Sequence, residues 1–156
     1  MHILLTGASG QVGSHTLIYL LRRAHQVTAL DINPPPPAVE AAIRSLTDDQ
    51  RSNYTFIQCD LTDFRAFEDV LGKTQPEGII HLGAVPDPKT LDFRIVHNVN
   101  VTSSYNVLQT AARRGMPRIV QASSVNATGL SYSPDGHHIF QEMPVKESHA
   151  LLPVSV

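Results

Sequence analysis

The chain has 156 residues, of which 42% are hydrophobic and 17% charged, and its formal net charge is −2. This composition is typical of one globular domain, and the charge provides no basic field for nucleic acid. The single cysteine, Cys59, excludes an internal disulfide, and no stretch reaches the roughly 18 apolar residues of a membrane span. We therefore expect one cytoplasmic domain over residues 1–156, with no nucleic-acid or membrane partner.

Short apolar runs alternate with helical patterns from the start of the chain. Residues 3–5 predict a buried strand, the apolar spacing over 17–24 predicts a helix, and residues 27–31 predict a second strand. Polar and proline-rich residues follow, including four consecutive prolines that cannot donate backbone hydrogen bonds. We interpret 33–53 as a linker with one short helix, at 38–46, and we expect residues 47–53 to be a loop.

The next unit of the pattern begins with a third predicted strand at residues 55–59. Thr62 or Asp63 is placed to cap the helix that follows, because both side chains accept hydrogen bonds from free backbone N–H groups. Gly72 is expected to end that helix.

The remaining elements are a fourth strand at 78–82, a long helix over 93–114 and a fifth strand at 118–122. One face of the long helix carries Val101, Tyr105, Leu108 and Ala112. Residues 125–156 have no clear period, and we expect an irregular tail.

Strands that alternate with helices of this length predict an α/β fold of the Rossmann type, with a doubly wound parallel sheet of about five strands. A sheet that stops at the fifth strand is C-terminally incomplete. It would leave an unpaired edge and uncovered apolar helix faces. We therefore expect either poor solubility of this chain alone or a partner that covers the edge.

Three glycines, Gly7, Gly10 and Gly13, have the spacing G-x-x-G-x-x-G directly after the first strand and at the start of the first helix. Glycines there allow a tight turn and a close backbone approach to a pyrophosphate, which the helix N–H groups then bind. Gln11 and Val12 are expected beside the phosphates. The alternative is a glycine-rich turn that binds nothing.

Asp31 ends the second strand, where a carboxylate accepts hydrogen bonds from both hydroxyls of an adenosine ribose and repels a 2′-phosphate. This placement favours NAD over NADP, although a strand-end turn also explains an aspartate. The loop lacks the lysine of a nucleotide-triphosphate P-loop. A methyltransferase remains a distant alternative, because its adenosine-methionine ligand has no pyrophosphate for the glycines.

Four segments resemble the extended short-chain dehydrogenase/reductase family, also called the NAD-dependent epimerase/dehydratase family. They are "TGASGQVG" at 6–13, "CDLTD" at 59–63, "HLGAVPDP" at 81–88 and "NVTSSYNVLQTAARRGMPRIVQASSV" at 100–125. The resemblance covers nearly the whole chain in order and spacing. It implies a Rossmann fold, NAD as the cofactor and a sugar-like small-molecule substrate for the parent enzyme.

The resemblance also implies roles for residues beyond the glycine loop. Asp60 and Leu61 would flank the adenine. The residues that would lie along the nicotinamide ribose are Leu82, Gly83 and Ala84.

The same resemblance assigns residues of the active site. Asn100 would be mainly structural, bending its helix or holding a water, unless it is an ordinary helix asparagine. Ser124 would hydrogen-bond the reacting hydroxyl or carbonyl of the substrate, and Ser123 beside it would belong to the cofactor site. Strand-end serines that bind local backbone are the alternative for this pair.

The family's base is a tyrosine four residues before a lysine, whose ammonium lowers the phenol pKa from about 10 so that the phenolate can take the substrate's proton. The chain has four tyrosines, Tyr19, Tyr54, Tyr105 and Tyr132, and none is followed by lysine at that spacing. We expect the cofactor half of such an enzyme, without its catalytic helix and substrate-binding portion.

Two hypotheses of function follow. The first is the NAD-binding portion of an oxidoreductase or epimerase that acts by hydride transfer on a sugar hydroxyl, either uronate-dehydrogenase-like or nucleotide-sugar epimerase/dehydratase-like. "LGAVPDPK" and "GMPRIVQASSVNATG" resemble the uronate dehydrogenases more. The second is a non-catalytic NAD(H)-binding module without turnover. A homodimer is possible, and we expect no metal site, because adjacent His137 and His138 lack further ligands.

Overall fold

The computed structural model describes residues 1–86, 92–124 and 146–148, and the chain divides into two units, Met1–Gln121 and Ala122–Val156. The second unit is described only at 122–124 and 146–148. All helices and strands of the described residues belong to the first unit.

One parallel sheet runs through the first unit. Its strands are β1 (His2–Thr6), β2 (Gln26–Asp31), β3 (Tyr54–Gln58), β4 (Gly78–His81) and β5 (Ile119–Gln121). Their spatial order is β3-β2-β1-β4-β5, and in the centre Leu4 pairs with Thr28 on one side and Ile79 on the other. The winding direction therefore reverses between β1 and β4, which confirms the predicted doubly wound sheet. In such sheets ligands bind beyond the carboxyl ends of the strands at the reversal.

Helices cover both faces of this sheet. They are α1 (Gln11–Arg22), α2 (Pro37–Arg44), α3 (Asp48–Ser52), α4 (Phe64–Thr74) and α5 (Phe93–Arg113). Side chains of a strand alternate between faces, so Leu5 packs with Leu17 of α1 in one core cluster, whereas Leu4 packs with Phe67 of α4 and Val107 of α5 in the other. Within the described residues, no helix is both long and apolar enough to cross a membrane.

The loop expected at 47–53 is wrong, because α3 occupies Asp48–Ser52. Thr47 begins it with a capping box: its hydroxyl accepts from the backbone N–H of Gln50 at 3.3 Å, and the Gln50 side chain accepts from the N–H of Thr47 at 3.2 Å. This reciprocal pair satisfies two N–H groups and supports one helical turn in an otherwise polar segment.

The predicted end of α4 at Gly72 is also wrong. The helix continues to Thr74 and ends at Gln75, which has a φ of +46°. A glycine inside a helix costs only about 1 kcal/mol, and the buried contacts of Val70 and Leu71 hold this last turn to the core. At the other end of α4, Asp63 is the cap, and its carboxylate accepts from the N–H of Ala66 at 3.0 Å.

Helix α5 exposes apolar side chains on one face and buries several polar side chains on the other. Its apolar face is exposed in the first unit, with Val101 at 53% and Tyr105 at 59% of full exposure. Its buried face includes Ser103, Asn106, Val107, Thr110 and Ala111. Strand β5 is shorter than predicted and ends the described sheet, and Val120 there is exposed.

Candidate cofactor site

The glycine loop between β1 and α1 packs its backbone directly against neighbouring backbone. Gly7 has a φ of +68°, and a Cβ there would lie 2.6 Å from the backbone of Leu82 and Gly83. A Cβ on Gly13 would lie 1.9 Å from the carbonyl oxygen of Gly7. Neither position accepts a side chain, because the loop lies directly against the end of β4 and the start of α1.

The N-terminus of α1 offers free hydrogen-bond donors. Gly10 is the cap residue, it makes no side-chain cap hydrogen bond, and the first turn carries no acidic side chain. Gln11 and Val12 are the first two residues of α1, and their side chains are exposed. Their backbone N–H groups, together with the positive end of the helix dipole, suit an anion such as a pyrophosphate.

Asp31 braces the loop at the carboxyl end of β2. One carboxylate oxygen accepts from the N–H of Ser9 at 2.9 Å, and the other accepts from the N–H of Asn33 at 3.1 Å. The Ser9 hydroxyl donates to the carbonyl of Asn33 at 2.8 Å. An ionised carboxylate has about four acceptor positions, so Asp31 retains acceptors for ribose hydroxyls while it positions the loop.

The segment after β3 forms a closed turn. Asp60 accepts from both the N–H and the hydroxyl of Thr62, each at 2.8 Å. Cys59 donates its N–H to the carbonyl of Asp31 at 3.0 Å, and burial raises the pKa of its thiol. The turn is thus tied to β2 and presents Asp60 and Leu61 at the carboxyl edge of the sheet.

A buried polar network lies where β1, β4 and α5 meet. One ring nitrogen of His81, Nδ1, is 2.7 Å from the Thr6 hydroxyl, and the other, Nε2, is 3.2 Å from the Ser104 hydroxyl. The Thr6 hydroxyl also accepts from the N–H of Gly83 at 3.3 Å. Burial lowers the pKa of His81. The imidazole is therefore neutral at pH 7 and links the end of β1 to α5.

Asn100 of α5 holds the segment that follows β4. Its side-chain oxygen accepts from the N–H of Val85 at 2.8 Å, and its amide nitrogen donates to the carbonyl of the same residue at 3.1 Å. Asn100 thus clamps this segment directly, and the predicted bend of its helix or bound water stays a prediction. Asn100 acts on the site through Val85.

These segments enclose one cavity of about 420 Å³, within the range of about 300–1,000 Å³ typical of ligand sites. The predicted residues that line it are Gly7, Gly10, Asp31, Asp60, Leu61, Leu82, Gly83 and Ala84. Free helix donors, the Asp31 carboxylate and an apolar wall thus meet in one place, an arrangement that suits a dinucleotide.

Sequence reasoning missed other residues of the lining. They are Ser9, Ile32, Asn33, Pro34, Pro36, Cys59, Val85, Val99 and Ser103. Their shared signal was position, because most of them directly follow a parallel strand and so lie at its carboxyl edge. Val99 and Ser103 are four residues apart on α5, which places them on one helix face.

Some predicted residues do not line the cavity. Gly13 packs the helix, and Gln11 and Val12 contribute only backbone near the site. Ser123 and Ser124 are exposed and belong to the second unit, so their roles in the site stay predictions.

Metal ligands and a catalytic base were also considered in the sequence. Among the described residues, no three His, Cys, Asp or Glu side chains form a metal cluster. His137, His138 and Tyr132 lie outside the described residues.

A family model described as "NAD dependent epimerase/dehydratase family" matches residues 3–149. The chain belongs to this family. The chain is 30% identical over 148 residues to the UDP-glucose 4-epimerase of Bacillus subtilis, covering 93% of this chain and 42% of that protein. It is 29% identical over 147 residues to UDP-arabinose 4-epimerase 1 of Arabidopsis thaliana, covering 92% and 34%. The chain therefore spans less than half the length of these relatives.

Solved structures agree in fold. The Bordetella bronchiseptica enzyme WbmH in complex with NAD⁺ is 25% identical with a TM-score of 0.74, over 97% of this chain and 46% of that one. The UDP-glucose 4-epimerase of Bifidobacterium longum with NAD⁺ and UDP is 19% identical with a TM-score of 0.75, over 97% and 42%; this likeness concerns the fold alone. The predicted family, Rossmann-type fold and NAD as the family's cofactor are confirmed.

Proposed function

We propose that the cavity binds NAD and that these residues are the NAD-binding portion of an enzyme that transfers hydride to and from a sugar hydroxyl. The observation that carries this proposal is that Gly10, at the uncapped start of α1, and Asp31, at the end of β2, line the same cavity. A pyrophosphate on the helix start places an adenosine ribose within reach of Asp31.

The other lining residues would contact the two ends of the cofactor. Asp60 and Leu61 would flank the adenine, and Leu82 to Ala84 would follow the nicotinamide ribose. The exposed Ile32 beside Asp31 carries no positive charge for a 2′-phosphate. The described residues that line the cavity include no lysine or arginine, and this supports NAD over NADP.

Bound NAD would supply the hydride acceptor, and Ser124 would hydrogen-bond the reacting oxygen of the substrate. We favour a nucleotide sugar over a free uronate as the substrate, because the two relatives described above are UDP-sugar 4-epimerases by name. The exposed apolar face of α5, with Val101 and Tyr105, supports a homodimer. The single, buried cysteine supports a cytoplasmic location.

A specific observation favours a second function, an NAD(H)-binding module without turnover. None of the four tyrosines has a lysine four residues later, so the Tyr-x-x-x-Lys spacing that would set an ammonium beside a phenol is not found in residues 1–156. Assay of 4-epimerisation of UDP-glucose and of NADH formation with glucuronate separates the two functions. Turnover that is lost in Ser124→Ala supports the enzyme, whereas NAD binding without turnover supports the module.

Calorimetric titration of the full chain with NAD and NADP tests cofactor binding. We expect NAD to bind more tightly than NADP, and Asp31→Ala to weaken NAD binding by about tenfold because charge-assisted hydrogen bonds to the ribose are lost. Asp49→Ala, at an exposed aspartate of α3, is the matched control and should bind NAD like the original chain. Equal affinities for NAD and NADP, or an unchanged NAD affinity in Asp31→Ala, would refute the assignment.

A further inference from the structure

Asn106 is a buried asparagine on α5, with 6% of its surface exposed. Its amide nitrogen donates to the carbonyl of Leu61 at 2.8 Å and to the carbonyl of Thr62 at 3.2 Å. Carbonyl oxygens only accept hydrogen bonds, so the nitrogen of the amide must point at them. Asn106 therefore reaches across 45 residues of sequence to hold the turn after β3.

Leu61 also packs in the buried cluster that includes Val107 and Ala111 of α5, but among the described residues Asn106 alone makes side-chain hydrogen bonds from α5 to this turn. Its own donors are satisfied locally, since Thr62 donates to the Asp60 carboxylate and the N–H of Asp63 donates to the Asp60 carbonyl at 3.1 Å. The turn is closed on itself and carries Asp60 and Leu61 into the cavity lining. The bond from Cys59 to Asp31 ties the start of the turn to β2, and Asn106 ties its Leu61–Thr62 end to α5.

Asn100 makes the equivalent connection at the other wall of the cavity. It lies six residues earlier on the same helix, which is a rise of about 9 Å, and its amide makes two hydrogen bonds to Val85 after β4. Val85 and Leu61 both line the cavity. One rigid helix therefore holds two loops, each through one asparagine.

We propose that Asn106 is a positioning residue for the adenosine end of the cofactor, and that Asn100 positions only the opposite end. This inference rests on the proposed NAD binding and deepens it. Removal of the Asn106 amide takes this donor from the buried Leu61 carbonyl and the part-buried Thr62 carbonyl, and it loosens the Asp60–Leu61 turn. Any ligand that carries an adenine must then order the turn itself when it binds, and this lowers the affinity of that ligand.

Titration with two ligands distinguishes effects on the two ends of the cofactor site. AMP has only the adenosine end, whereas NAD has both ends. In Asn106→Ala we expect the affinities for AMP and NAD to fall together by about tenfold. Asn100→Ala is the matched control, because it removes an asparagine of the same helix with the same kind of contact. It should weaken NAD binding and leave AMP binding within about twofold of the original chain.

A general loss of structure would lower both affinities in both variants, so the AMP affinity of Asn100→Ala is the deciding readout. The proposal is overturned if Asn106→Ala binds AMP normally, or if both variants lose AMP binding equally. Asn106→Ser retains one hydroxyl donor and replaces Asn106→Ala if that variant does not fold, with the same criteria. Failure of the original chain to bind NAD and AMP at all would instead refute the proposed function and this inference with it.

Discussion

The two walls of the cavity are built by different means. The wall at β1 and α1 is fixed by backbone contacts, of Gly13 with Gly7 inside the loop and of Gly7 with Leu82 and Gly83 after β4. The wall formed after β3 and β4 is fixed by side-chain amides of α5, 45 and 15 residues away in sequence. The first wall excludes a side chain at Gly7 and at Gly13, whereas the second depends on donors that other residue types lack. Substitutions should therefore harm the first by steric overlap and the second by lost hydrogen bonds.

The largest effect is expected at Gly13. Gly13→Ala places a methyl group 1.9 Å from the Gly7 carbonyl oxygen, which the backbone cannot accommodate, so we expect loss of the folded state and of NAD binding. Gly10→Ala is the matched control: its added Cβ would lie 3.2 Å from the same oxygen, and its φ of −70° suits alanine. Circular dichroism and thermal melting should show a folded Gly10→Ala protein and a disrupted Gly13→Ala protein.

Equal stability of Gly10→Ala and Gly13→Ala would contradict a wall built on steric exclusion. It would mean that the loop moves away from the start of α1 at little cost, and that the closeness of Gly13 to the Gly7 carbonyl is not required.

An intermediate effect is expected at the polar network between the two walls. Burial lowers the pKa of His81 below its ordinary value of 6.5, so below that pH the unfolded chain binds protons that the folded chain does not. The free energy of unfolding should be level above about pH 6.5 and fall on acidification by at most about 1.4 kcal/mol per pH unit. Burial also lowers the pKa of His2, and this contributes a decline of the same sign. The informative quantity is therefore the difference in pH dependence between the original chain and His81→Gln.

Urea unfolding at several pH values between about 5 and 8 measures this difference. Because Gln has no titratable group, His81→Gln should show the shallower decline on acidification. An identical pH dependence of the two proteins would show that His81 is not held neutral by burial.

The smallest effect is expected at Thr47, which lies in neither wall. Thr47→Ala removes the side-chain acceptor of the α3 capping box and should lower the free energy of unfolding by about 1 kcal/mol, with NAD affinity unchanged. Thr47→Ser retains the acceptor and should restore most of that loss. A change of NAD affinity in Thr47→Ala, measured by calorimetry, would show that stability and binding are not separable in this fold.

The sheet and the glycine wall could be predicted because their signals are local. Alternating strands and helices define the parallel order, and the spacing of Gly7, Gly10 and Gly13 carries its own steric reason. The T-x-x-Q signature at Thr47 was also present in the sequence and was overlooked.

The wall held by α5 could not be predicted, because periodicity assumes that an apolar face packs inward. Here Asn106 and Thr110 are buried, whereas Val101 and Tyr105 are exposed. Asn106 is buried where it donates to the Leu61 and Thr62 carbonyls, a contact that only the tertiary arrangement reveals.

The central claim is that this cavity holds NAD between the two walls, and a crystal structure of the chain with NAD tests it most directly. The pyrophosphate should lie within hydrogen-bond distance of the backbone N–H groups of Gln11 and Val12. The adenosine ribose should contact the Asp31 carboxylate, and Asn106 should still donate to the Leu61 carbonyl. A dinucleotide bound elsewhere, or one whose ribose does not touch Asp31, would contradict the account.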